Sequence, residues 1–166
     1  MPMLKLLTGM EFPGAPADEL QRQPAGYDLT VRSIDRFTLA GRLDLTNEQR
    51  ELPDLEALPW PQPPGEGTPQ PLRLGRGGYL VTYNEEIRIP PNAAGIVLPR
   101  SSLMRCGATL HSALWDPGYC GRGQGLLTVH HDLDLYPDAR IGQLILIALE
   151  QEADRLYSGT YQGENL

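Results

Sequence analysis

The sequence predicts an all-β domain, a barrel or jelly roll of short strands. Glycine and proline together make up about a fifth of the 166 residues, with no regular period, so long helices have little room and a collagen repeat is excluded. Apolar residues alternate with polar ones over short stretches, the two-residue period of a half-buried strand. These stretches recur at near-regular spacing between turn signals. The length suits a single domain with its own core, assigned to residues 1–156, with 157–166 as a separate tail.

Taken in order, residues 3–8 form a short apolar strand or turn, and 12–16 a Pro/Gly loop. Residues 18–23 suit one helical turn with Asp18 at its start. In 25–31, Tyr27, Leu29 and Val31 alternate with Asp28 and Thr30, so Asp28 is expected on the outer, solvated side of a strand. Strand-like pieces continue through 33–44. Residues 46–70 hold six prolines and read as an irregular surface insertion, its Trp60 packing either on the domain or on a neighbouring subunit. Strands resume at 71–74, and glycines 75, 77 and 78 turn the chain. Further strands follow at 79–83, 87–89 and 94–98. Ser101 or Ser102 can cap a short helix over 103–106 that ends at Gly107. Short strands at 108–111 and 112–115 lead to the turn Asp116-Pro117-Gly118-Tyr119. Strands at 126–130, 133–136 and 141–149 complete the domain. The polar, aromatic tail 157–166 is either a frayed end or a lid.

A formal charge of −7 argues against a general nucleic-acid binder. No apolar run approaches the roughly 18 residues of a membrane helix. Cys106 and Cys120 make neither a disulfide framework nor a metal spacing, and two reduced thiols fit a cytoplasmic protein. Against this acidic background, 100–107 carries two arginines and no acid, which points to a small anionic ligand. Arg100 offers a planar fork beside the hydroxyls of Ser101 and Ser102 and the backbone donors of a helix start, a combination that suits phosphate oxygens. A structural cap with a surface arginine is the alternative. Asp116 is the only carboxylate between Glu86 and Asp132. Held in a tight turn, it can orient a water as general base, or simply bond its own backbone. Tyr119 can stack on a sugar or cover a hairpin. Gln143, inside an apolar strand, must find partners in a structural network or on a phosphate. The three histidines have no metal spacing and read as structural.

The ordered segments Gly26-Tyr27-Asp28-Leu29, Pro99-Arg100-Ser101-Ser102-Leu103, Trp115-Asp116-Pro117-Gly118-Tyr119-Cys120-Gly121, Arg140-Ile141-Gly142-Gln143-Leu144 and Tyr161-Gln162-Gly163 resemble the dUTPase and dCTP deaminase superfamily. The resemblance spans nearly the whole chain, with the Pro-rich insertion as the main departure. It implies a distorted jelly-roll, β-clip-like barrel, and a homotrimer with active sites at subunit interfaces. It also implies hydrolysis of dUTP to dUMP and pyrophosphate with Mg2+. Asp116 would orient the attacking water and Tyr119 would stack on the deoxyribose. Arg100, Ser101, Ser102 and Gln143 would hold phosphates, and Tyr161 and Gln162 would belong to a lid over the substrate. Asp28 would act near the metal through water, or support the site. Phosphoryl transfer of this kind needs positioning and charge neutralisation more than covalent catalysis. Magnesium carried on substrate phosphates needs no dense carboxylate cage.

The superfamily holds two chemistries. Its deaminases place a glutamate about ten residues beyond the aspartate, as proton shuttle for attack on cytosine. The corresponding position here falls at or near Leu126, in Gly125-Leu126-Leu127-Thr128-Val129, and no acid stands between Asp116 and Asp132. That favours dUTP hydrolysis over dCTP deamination or a bifunctional enzyme, and the intact Asp116 and Tyr119 argue against a non-catalytic nucleotide-binding regulator. Thr160 occupies the place of a lysine expected before Tyr-Gln-Gly in the archaeal-type branch.

Overall fold

The computed structural model describes Leu7, residues 9–62 and residues 67–166. The expectation for 3–8 lies outside the described residues apart from Leu7, as does 63–66 of the insertion. Among the described residues, besides Leu7, the helices are α1 (Asp18–Gln21) and α2 (Ser101–Arg105). The strands are β1 (Arg22–Gln23), β2 (Gly26–Phe37), β3 (Leu55–Ala57), β4 (Leu72–Leu74), β5 (Gly77–Tyr83), β6 (Ile87–Arg88), β7 (Ala93–Pro99), β8 (Ala108–His111), β9 (Cys120–Gly121), β10 (Gln124–Val129), β11 (Leu133–Leu135) and β12 (Arg140–Ala148). The principal sheet runs β7-β12-β2-β5-β10-β8, with β1 and β3 also paired to β2. Its end strands β7 and β8 approach each other, nearly closing a barrel. The small ladders β4–β11 and β6–β9 flank it. All pairings are antiparallel. The all-β jelly-roll expectation is met.

The twelve-residue strand β2 joins the two halves of the barrel. Tyr27–Thr30 pairs with β12, and from Val31 onward the same strand pairs with β5, with a register shift between Val31 and Ser33. This corrects the expected solvated face. Residues 26–31 are buried on both sides, Asp28 and Thr30 included. Alternation fails here because the outer face of β2 is itself covered, by α1, Glu85 and side chains of β12. Each polar side chain on that face finds partners, as buried polar groups must. Gln21 Nε2 donates to Asp28 O and to Glu85 Oε1, and the Thr30 hydroxyl donates to Glu85 Oε1 at 2.6 Å.

Other boundaries moved. Ser101 and Ser102 lie inside the first turn of α2 and make no side-chain cap bond, and Arg100 occupies the N-cap position. The glycines at 77 and 78 belong to β5 rather than to a turn. Residues 112–115 form no strand, only a bridge from Trp115 to Gly95. Beyond Phe37, only the Arg42–Glu51 bridge continues the strand-like pieces. The insertion is less irregular than its prolines suggest, since β3 pairs with the end of β2. Trp60 packs on its own domain, where Nε1 donates to Arg32 O at 3.1 Å.

Candidate active site

Two groups of the expected site residues come together, and they stand apart in one chain. The first surrounds Asp28. The register of β12 sets Gln143 opposite Asp28 on one side and Leu98 on the other, just before Arg100. Asp28 is fully buried. Its Oδ2 meets Arg100 Nε at 3.0 Å and Arg140 Nη1 at 3.3 Å, and its Oδ1 accepts from Gln143 Nε2 at 3.1 Å. Gly26 permits this closeness, because a Cβ there would sit 2.7 Å from both Gln143 Cγ and Leu144 O. Two guanidiniums against one carboxylate leave a net positive charge. Ser101 and Ser102, both exposed, follow Arg100 directly in the chain. That cluster can receive an anion.

The second group lines a cavity of about 370 Å³. The turn after Trp115 supplies Asp116 and Tyr119 to it. Gly118 adopts φ 84, and its N–H donates to Ile89 O at 3.0 Å, which fixes the turn against the barrel. Asp116 is exposed, and its carboxylate receives no hydrogen bond from the described residues. Trp115 stacks on Tyr119 with ring centroids 5.6 Å apart, and Tyr157 meets Tyr119 edge-on at 5.9 Å.

Residues 157–166 fold back onto the same turn. Gln162 Nε2 donates to Gly118 O, and its Oε1 accepts from Cys120 N. Gly163 N donates to Cys120 O, and Asn165 Nδ2 to Arg122 O. The Tyr119 hydroxyl donates to Glu164 Oε1 at 2.7 Å. Burial pushes the Tyr119 phenol well above its ordinary pKa, and the Glu164 carboxylate adds to the shift. Burial also raises Glu164, against the opposing effect of the Tyr119 hydrogen bond. Tyr119 is only 4% exposed, so its ring has little free face while the tail is docked. Tyr161 lines the cavity, whereas Gln162 holds the turn and does not line it.

Among the described residues none of the cavity-lining side chains is cationic, and Arg100, Ser101, Ser102, Gln143 and Asp28 are not among them. The model for dCTP deaminase-like domains matches residues 6–149. The chain belongs to the dCTP deaminase-like family. Among curated relatives it is 42% identical over 149 residues to a probable deoxyuridine 5'-triphosphate nucleotidohydrolase of Methanosarcina mazei, covering 89% of this chain and 84% of that one. It is 38% identical over 147 residues to the deoxyuridine 5'-triphosphate nucleotidohydrolase of Methanocaldococcus jannaschii, covering 88% and 90%. The 2'-deoxycytidine 5'-triphosphate deaminase of Agrobacterium tumefaciens shares the fold, with a TM-score of 0.60 at 18% identity over 87% of this chain. The alignment spans 46% of that longer deaminase chain.

Within this dCTP deaminase-like chain, some cavity residues escaped the sequence reading. Gln124 is one, with its Nε2 donating to Thr82 Oγ1 at 3.0 Å. A polar residue two positions before Leu126, and so on the same strand face, was the available signal. Glu164 is another, directly after Tyr-Gln-Gly, and its docking depends on tertiary contacts. Arg140 stood in the quoted Arg-Ile-Gly-Gln segment without a role and proves to be a partner of Asp28. Leu126 lies on β10 beside Leu80 and His111, 38% exposed, and puts an apolar side chain where a deaminase glutamate was expected.

Proposed function

We propose that this chain hydrolyses dUTP to dUMP and pyrophosphate. The observation that carries this reading is Asp116. Its carboxylate stands free at an apolar cavity of nucleoside size, and β10 contributes no acid beside it. Asp116 takes a proton from a water as that water attacks phosphorus. The bond between the α- and β-phosphoryl groups breaks, and pyrophosphate leaves with the bridging oxygen. Tyr119 and the apolar lining hold the nucleoside and exclude water, with Tyr119 packing on the deoxyribose once the tail shifts from its ring. Arg100, Ser101, Ser102 and Gln143 hold the phosphates. Asp28, which leaves no exposed oxygen, keeps Arg100 and Gln143 aimed rather than meeting a cation itself.

Among the described residues no three His, Cys, Asp or Glu side chains gather into a metal cage. That donor set fits Mg2+ carried on phosphate oxygens and water, with Asp116 as a carboxylate that lines the cavity without a hydrogen-bond partner among the described residues. When bound, magnesium offsets the phosphate charge. Among the described residues no cation lines the cavity, which supports a site shared between copies, with Arg100 of one chain facing Asp116 of another, as in the homotrimer the resemblance implies. The tail acts as the lid, through Tyr161 and Gln162. The free thiols of Cys106 and Cys120 suit a cytoplasmic protein.

Glu164 gives the deaminase reading one specific observation, a second carboxyl in the cavity. It comes from the tail and is engaged by Tyr119. A side-by-side assay of dUTP and dCTP separates the two: pyrophosphate from dUTP is expected, and ammonia from dCTP would overturn the reading. In Asp116→Asn, loss of the general base lowers pyrophosphate release by about 10²–10⁴-fold. Its melting temperature should stay at the wild-type value, since the exposed carboxylate holds nothing in place. Unchanged turnover would remove Asp116 from the mechanism.

A further inference from the structure

We propose that the arm formed by residues 38–58 is the specificity wall of the cavity, and that Leu52 and Leu55 on it grip the nucleoside part of the substrate. The arm leaves β2 at Phe37 and returns as β3, with Phe37 opposite Leu55 and Arg36 opposite Glu56. It is fastened at several levels. Thr38 N and Oγ1 both donate to Asp54 O, Arg42 and Glu51 exchange backbone hydrogen bonds, and Leu58 N donates to Ile34 O. The arm is therefore a built element with a fixed inner side. That side carries Leu52, Pro53 and Leu55 to the cavity, facing Asp116, Tyr119 and Gln124.

Leu52 and Leu55 are 61% and 42% exposed although they line a cavity, so apolar surface is left for an occupant to cover. The occupant is a nucleoside. The cavity is small and mostly apolar, its polar groups are Asp116, Gln124, Glu164 and the tyrosine hydroxyls, and among the described residues it offers no cation to a phosphate. A flat ring with a few polar edges matches that lining; a triphosphate does not. The name of the nucleoside rests on the dUTP reading, whereas the arm's part in holding it does not.

The test is calorimetric titration of the full chain with dUMP and, separately, with pyrophosphate. Leu52→Asn sits in an unpaired loop position and leaves the strand pairing intact. Leu55→Asn is the second variant, and Leu52→Met restores apolar volume. Each Asn variant should weaken dUMP about tenfold, the effect of losing one leucine's apolar contact. Pyrophosphate affinity should not change, and Leu52→Met should recover most of the loss. Undiminished dUMP binding by folded Leu52→Asn would overturn the proposal, as would equal losses for dUMP and pyrophosphate. A wild-type chain that binds dUMP but releases no pyrophosphate from dUTP would sink the hydrolase reading and leave the arm's role standing. A wild-type chain that binds no nucleotide would sink both.

Discussion

Asp28 is buried, and Arg100, Arg140 and Gln143 converge on its carboxylate. Removing one partner from such a cluster strands the others, which typically costs 3–5 kcal/mol. Arg140 is about a third exposed and can turn to water, so Asp28→Asn should destabilise by about 3 kcal/mol, the low end of that range. Denaturant melts would measure the stability change. In the same variant the KM for dUTP should rise more than kcat falls, because Arg100 and Gln143, proposed to hold the phosphates, lose their anchor while Asp116 is untouched. Equal wild-type stability and KM would refute the anchoring role. Asp28 also marks a limit of sequence reading. Its two-residue alternation was legible, but alternation assumes one wet face, and here α1, Glu85 and β12 cover both. Asp116 was easier to locate, because an isolated carboxylate in an Asp-Pro-Gly turn carries its own backbone constraint.

The strongest element-scale constraint is the buried polar cluster behind β2. Burial pushes the Glu85 carboxyl above its ordinary pKa, against the hydrogen bonds from Thr30 and Gln21 that lower it. A raised folded pKa favours folding while the group is protonated. This contribution is complete below the unfolded carboxyl pKa and is lost as pH rises through the folded value. Glu85→Gln has no such proton to lose. Its melting temperature relative to wild type should therefore climb with pH across that window, and a constant difference would show that Glu85 does not titrate there. Strands written as apolar, β-branched or aromatic runs, such as β5 and β12, were readable from sequence. β3 was not: its three residues are all exposed, and only the free edge of β2 reveals the pairing. α2 was found as a helix but misplaced, because serine propensity favoured a cap that the backbone sets one position earlier, at Arg100.

For the molecule as a whole, the cavity and the cation cluster stand apart in one chain, and the proposed shared site follows from that separation. If each site draws Asp116 and Arg100 from different chains, co-refolding Asp116→Asn with Arg100→Ala should restore activity that neither variant has alone. Random mixing should return roughly a quarter of the wild-type rate, since both intact contributions must meet at one interface. No recovery in mixed oligomers would place both residues in one chain's site. The barrel class was legible from composition and turn spacing, and the ordered segments carried the family resemblance. The docking of 157–166 was not, since those residues alternate in no pattern and are held by Gly118, Cys120 and Arg122 far away in sequence.

Trp115 lies in the cavity wall between Tyr83 and Tyr119, whereas Trp60, the other tryptophan, is tied to Arg32 elsewhere. Replacing Trp60 with phenylalanine would leave a single indole, whose emission reads the site alone. The protein thus carries its own optical reporter, able to follow cavity filling and tail movement in real time without a label.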